Sequence, residues 1–341
     1  MAQNLIITDI ELDVLSGTLD FGEVELSVTD TDFFQVIDFG VGFNFFSLLN
    51  VSSNETLADV FSSHLNKISY IKNDNEQFYY PSSNTDNIGS ISPFEGFFMY
   101  AVESFSITRN FTYSQLSSTN YSISVTPESL YWLGGASMSS VRYDEYFPQA
   151  NSQIQFIVNP ETGRISLPSQ GWDTLGNLNP SSVYAIKFKN VNFTHTHAPL
   201  FNGTWVSRDY TPYYPLPPRS SSFSIVYISS SALNLSLNTT DALVAVNSYN
   251  RVCGGYYCTD GNSDYAFIIY GVELNYVVGY GAGQSITLKL KRGTSTINLD
   301  VTWISQSSVY ETGNSYTDNV IYRAVSVSEV SSSQSNNRQS N

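Results

Sequence analysis

The sequence predicts an all-β protein made of two β-sandwich domains. Three observations carry this expectation: apolar and polar residues alternate in short runs along the whole chain, the runs are rich in β-branched and aromatic residues, and clusters of Gly, Pro, Asn and Ser separate them. Alternation places every second side chain on one face of a strand, whereas helical spacing at i, i+3 and i+4 is scarce.

The first run, residues 4–12, reads as a strand. Nothing at the N-terminus resembles an export leader, since it has no basic start, no apolar segment of signal length and no small-residue cleavage site. Val24, Leu26 and Val28 form the next alternating run. Residues 39–51 are apolar but broken by Gly and Asn, too short for the roughly 18 or more apolar residues of a spanning helix, and read as a buried strand pair. One helix is expected over residues 54–67: Ser53 or Asn54 caps it, Glu55 sits in its first turn, and Leu57, Val60, Phe61 and Leu65 share a face. Half-buried strands then follow at Tyr121-Ile123-Val125, Ile154-Phe156-Val158, Phe223-Ile225-Tyr227, Leu233-Leu235-Leu237 and Ile286-Leu288-Leu290. Residues 331–341 contain no apolar side chain and read as a flexible polar tail.

Residues 5–13 align with residues 267–275, and the match runs without a gap through Gly17 against Gly279 to residues 37–39 against 299–301. A third copy of the opening is residues 97–103. Internal duplication of a sandwich unit and shared β composition both account for these matches. The turn-rich midpoint, residues 167–182, is the expected division, giving a first sandwich over 1–170 and a second over 171–330. The Pro-rich stretch 210–219 reads as a stiff loop inside the second half.

Thirty acidic residues face 15 basic ones, a net charge of −15. Phosphate backbones are held by clustered Lys and Arg, so no nucleic-acid partner is expected, nor a polybasic hold on an anionic membrane. Cys253 and Cys258 are the only cysteines, and the Gly254-Gly255 pair between them suits a tight hairpin clipped by a disulfide. Eight Asn-x-Ser/Thr triplets permit glycosylation, at Asn50, Asn54, Asn110, Asn120, Asn192, Asn202, Asn234 and Asn238. About seven would arise by chance in a chain this rich in Asn, Ser and Thr, so they permit it without requiring it.

No complete catalytic or cofactor constellation is found in the sequence. Gly135-Ala136-Ser137-Met138-Ser139 approaches a nucleophile elbow but lacks its final Gly. His195 and His197 would share one strand face without an identifiable third ligand, and neither they nor His64 is expected to bind a metal. Asp260-Gly261-Asn262-Ser263-Asp264 is half of a calcium loop without its later Glu, and Thr29-Asp30-Thr31-Asp32 and Asn73-Asp74-Asn75-Glu76 are weaker versions. The aromatic pairs Tyr79-Tyr80, Tyr131-Trp132, Tyr213-Tyr214 and Tyr256-Tyr257 lie beside turn residues, where rings can stack on sugars or anchor a partner.

In general character the chain resembles the capsid and turret proteins of tailless icosahedral archaeal viruses, of the Sulfolobus turreted icosahedral virus type. The residues that carry the resemblance are the strand at 4–12, the repeat of 5–39 at 267–301, and the Lys-poor, Tyr-, Ser- and Asn-rich loops. It implies a double jelly roll, trimers of pseudo-hexagonal outline tiling a shell, other virion proteins as partners, and no enzymatic activity or cofactor. It also implies assembly in a host cytoplasm and exposure on the virion after release. The short tail is not basic, which departs from an anchor to an internal membrane or genome and points to a vertex or turret. A cell-surface appendage or surface-layer subunit, and a carbohydrate-binding β-sandwich, are the alternative expectations.

Overall fold

The computed structural model of the protein describes residues 32–112, 115, 121–127, 129–135, 141–147, 153–179, 182–189, 192–197, 220–258, 263–273, 279–305, 307 and 310–330. Strands dominate, and each described helix is a single turn of four residues or fewer. The all-β expectation holds.

The first part of the chain contributes β1 (Asp32–Phe39), β2 (Gly42–Ser47), β3 (Ile68–Lys72), β4 (Phe78–Tyr80), β5 (Thr85–Asp86), β6 (Gly96–Ala101) and β7 (Phe105–Thr112). The middle supplies β8 (Tyr121–Val125), β9 (Leu130–Gly134), β10 (Val141–Arg142), β11 (Ile154–Asn159), β12 (Arg164–Leu167), β13 (Trp172–Asp173), β14 (Asn177–Leu178), β15 (Val183–Phe188) and β16 (Phe193–His197). The last part holds β17 (Phe223–Ile228), β18 (Asp241–Val246), β19 (Val252–Tyr257), β20 (Tyr265–Tyr270), β21 (Thr287–Arg292), β22 (Ser295–Trp303) and β23 (Ile321–Glu329).

Two five-stranded sheets, β2-β6-β3-β4-β5 and β13-β12-β11-β15-β9, are accompanied by the two-stranded ribbons β1-β7, β8-β16 and β10-β14. The last seven strands close a barrel in the order β17-β20-β19-β18-β21-β22-β23. Its closing pair is parallel, β17 on β23 with Ile225 opposite Ile321, while its other pairs are antiparallel.

This arrangement corrects the division expected at 170/171. Leu167 pairs with Trp172 across that point, and β15 continues the same sheet against β11 and β9. Residues 168–171 turn the chain from β12 to β13 within one sheet, and β14 then leaves that sheet to pair with β10. The sheets are not independent of the barrel either: Phe45, Tyr70, Phe98, Trp132, Phe156, Val158, Leu167 and Val183 pack in one cluster with Phe223, Ile225, Ile268, Tyr270 and Ile321. On β20, Tyr265, Phe267 and Ile269 fill the barrel while Ala266, Ile268 and Tyr270 face this shared core. Strands β11, β15, β17 and β20 are accordingly buried at every residue rather than on alternate ones, and so is β18, whose outer Ala242, Val244 and Val246 form a separate apolar cluster.

Three local expectations also change. The helix expected over 54–67 shortens to α1 (Leu57–Val60) and one 3-10 turn at Leu65–Lys67. Asn54 takes a left-handed backbone, φ 64°, so capping passes to Thr56, whose hydroxyl and backbone N–H form a reciprocal box with Asp59. Leu233-Leu235-Leu237 alternates but forms no strand, because its leucines lie over the barrel core and only Leu233 makes an isolated bridge, to Val327. The aligned segments 97–100 and 267–270 do form strands, but β6 is central in an open sheet and β20 is a barrel stave. Their likeness reflects burial on both faces; the first copy, residues 5–13, lies outside the described residues.

Candidate functional site

Cys253 and Cys258 are both free and buried. The Gly-Gly hairpin expected between them is instead continuous strand β19, which holds their Cα atoms about 16 Å apart at the usual rise per residue, far beyond disulfide reach. Burial pushes the thiols up to about 11 and about 12. The glycines serve a close approach: a Cβ on Gly254 would lie 1.9 Å from the carbonyl oxygen of Ile268.

His195 sits in β16 opposite Ile123, with its ring 4.8 Å from that of Phe147, and burial pulls its pKa down to about 4. His64 stacks on Phe105. Among the described residues no group of His, Cys, Asp and Glu has the arrangement of a metal site. The elbow-like 136–139, residues 260–262 of the calcium half-motif, residues 29–31, Tyr213, Tyr214, Asn120 and Asn202 lie outside the described residues. Asp264 is described, and it accepts from the Tyr227 hydroxyl at 2.6 Å and from Ser230 N–H at 2.7 Å. Of the other triplets, Asn54, Asn110, Asn192, Asn234 and Asn238 are exposed and Asn50 is half-buried.

The aromatic pairs are not the exposed anchors expected. Tyr79, Trp132 and Tyr256 are buried and their neighbours half-buried, because adjacent residues on a strand point to opposite faces. The large exposed apolar residues cluster elsewhere. On ribbon β1-β7, Gln35, Ile37 and Phe39 turn inward while Phe34 and Val36 stand 65% and 57% exposed, opposite Asn110 and Thr108. Val41 and Val102 are also exposed, beside the paired Gly42 and Ala101, beyond the exposed Asp38 and Ser106 at the ribbon's end.

A second feature is polar and lies where the first sheet, the second sheet and the barrel meet. The β3–β4 hairpin carries Lys72, Asn73, Asp74, Asn75, Glu76 and Gln77, and is held by Asn73, whose side-chain oxygen accepts from the N–H groups of Asn75 and Gln77 at 3.1 Å each. Lys72 and Glu273, both 4% exposed, form an ion pair of 3.0 Å that ties this hairpin to the chain leaving β20. Lys72 also reaches Glu76 at 3.1 Å, and the other Glu273 oxygen accepts from Ser220 Oγ, Ser221 N–H and Ser221 Oγ. Asp74 accepts from the backbone N–H of Trp132 at 3.0 Å. Beside these groups is a cavity of about 480 Å3 lined by Asp74, Glu76, Ser124, Thr126, Tyr131 and Asn319 among others.

Burial dominates the titration here. It raises Asp74 to about 6 and Glu95, whose carboxylate accepts from Ser92 N–H and feels the Asp74 charge, to about 7. Both folded values lie above ordinary unfolded carboxylate values, so the folded state binds more protons between about pH 4 and 7 and stability falls as pH rises through that window. His195 opposes this, since its lowered value removes stability as pH falls from about 6.5 to 4. Two carboxylates outweigh one imidazole, and protonation also relieves the repulsion of a −15 chain. The melting temperature is therefore expected to be higher near pH 5 than at pH 8. In the double variant Asp74→Asn/Glu95→Gln this slope should flatten, as differential scanning calorimetry would show; an unchanged slope would place the origin elsewhere.

Set beside protein-family models, curated proteins and solved structures, the chain finds no match in any of the three.

Proposed function

We propose that this chain is a structural subunit that works by self-association, on the exterior of a virion as capsid shell or vertex turret. The observation that carries the reading is the outward face of ribbon β1-β7. Its middle presents Phe34, Val36, Thr108 and Asn110, all exposed and all uncharged. A second copy of a chain with net charge −15 is repelled by most of the surface, and approach is least opposed where apolar area is exposed and charge is absent. Aromatic and branched residues at the centre of such a contact supply most of its energy. The side-by-side jelly rolls of the resemblance belong to this reading, with the closed barrel as the second unit of each subunit.

Association should strengthen in salt, which screens the repulsion, and in acid, approaching the pI of about 4.4. Sedimentation from about pH 3 to 8 at several salt concentrations measures it. Phe34→Asp/Val36→Asp should remain monomeric where the natural chain associates, with stability changed by no more than about 0.5 kcal/mol per exposed site. A natural chain monomeric under every condition would overturn the proposal.

A further inference from the structure

The cavity at the junction of the two sheets and the barrel is unlike the rest of the molecule. Its walls carry hydroxyls from Ser124, Thr126, Ser129 and Ser221, amides from Asn75 and Asn319, and the carboxylates of Asp74 and Glu76, with Tyr131 and Trp132 as the aromatic components. A volume of about 480 Å3 lies within the roughly 300–1,000 Å3 of small-molecule sites.

The charges narrow the ligand. Two cations lie beside the cavity: Lys72, which is paired with Glu76 and Glu273, and Lys187, which donates to the Asn319 carbonyl oxygen at 2.9 Å. Asp74, Glu76 and Glu273 outnumber these two ammonium groups, so an anion would meet net negative charge. Dense hydroxyl, amide and carboxylate groups beside aromatic rings match a ligand with many hydroxyls and an apolar ring face.

We propose that this cavity binds a neutral sugar unit, the terminal residue of a glycan, with the Asp74 carboxylate and the Asn319 amide as hydrogen-bonding groups. Uronic and other acidic sugars are excluded by Asp74 and Glu76. The site does not depend on the ribbon face, so binding and association can fail separately.

The test is titration of the full chain, by protein-observed NMR or calorimetry, with glucose, galactose, mannose and N-acetylglucosamine, and with glucuronate as the acidic control. Saturable binding of at least one neutral sugar is expected, with glucuronate at least tenfold weaker. Thr126→Trp, at an exposed position, should fill the cavity and abolish binding. Asn319 has φ 60°, a conformation glycine adopts freely, so Asn319→Gly removes the amide without backbone strain and should weaken binding several-fold. Retained melting temperature in both variants separates lost binding from lost fold. No binding by any of the four neutral sugars, glucuronate binding equally well, or undiminished binding in Thr126→Trp would overturn the proposal.

Discussion

Replacing Lys72 by methionine should destabilise the chain by about 3–5 kcal/mol, the usual range for removing one partner of a buried ion pair. Both charged groups are 4% exposed and 3.0 Å apart. Without the ammonium, Glu273 keeps only its donors from Ser220 and Ser221 and would be a buried anion without a countercharge. The reverse change is milder. In Glu273→Gln, Lys72 retains Glu76 and its positions 5.7 and 5.8 Å from the ring centres of Phe78 and Phe98. Lys72→Met/Glu273→Leu should recover most of the loss, because an apolar pair carries no desolvation cost. Denaturant unfolding of the four proteins gives the coupling directly. Additive single effects, or a milder loss in Lys72→Met than in Glu273→Gln, would mean that the pair does not lock the hairpin to the barrel.

Gly254→Ala should cost about 3 kcal/mol or more, at or above the top of the range seen for overpacking, with poor soluble yield. Its Cβ would stand 1.9 Å from the Ile268 carbonyl oxygen and 3.0 Å from Ile269 Cα. Both are backbone atoms of a neighbouring barrel stave, and a closed barrel leaves that stave little room to retreat. Gly281→Ala is the control: its Cβ would meet only the Gln284 side chain, no closer than 3.5 Å, and stability should stay within about 0.5 kcal/mol of the natural chain. Equal stability of the two variants would show that β19 and β20 need no glycine at their contact.

Residue patterns alone determined the all-β class. Tyr121-Ile123-Val125, Ile154-Phe156-Val158 and Phe223-Ile225-Tyr227 each lie in strands, because alternation and β-branched side chains are local properties that survive any packing. The excess of acidic residues is equally local, and so is the weakness of each metal or nucleophile motif. Partners that meet from afar were decided by tertiary structure. Nothing near Ile225 or Ile321 marks them as the seam that closes the barrel, and nothing in Asn73-Asp74-Asn75-Glu76 reveals that Asp74 will cap the Trp132 N–H or that Lys72 will meet Glu273. Cys253-Gly254-Gly255-Tyr256-Tyr257-Cys258 shows the limit most clearly. Glycine pairs serve turns and close approaches alike, and only the neighbouring stave, contributed by residues outside the motif, selects the second use. The turn-rich midpoint misled for the same reason: turn chemistry specifies where the chain reverses, whereas domain limits depend on which faces the reversed strands bury, a property of long-range pairing.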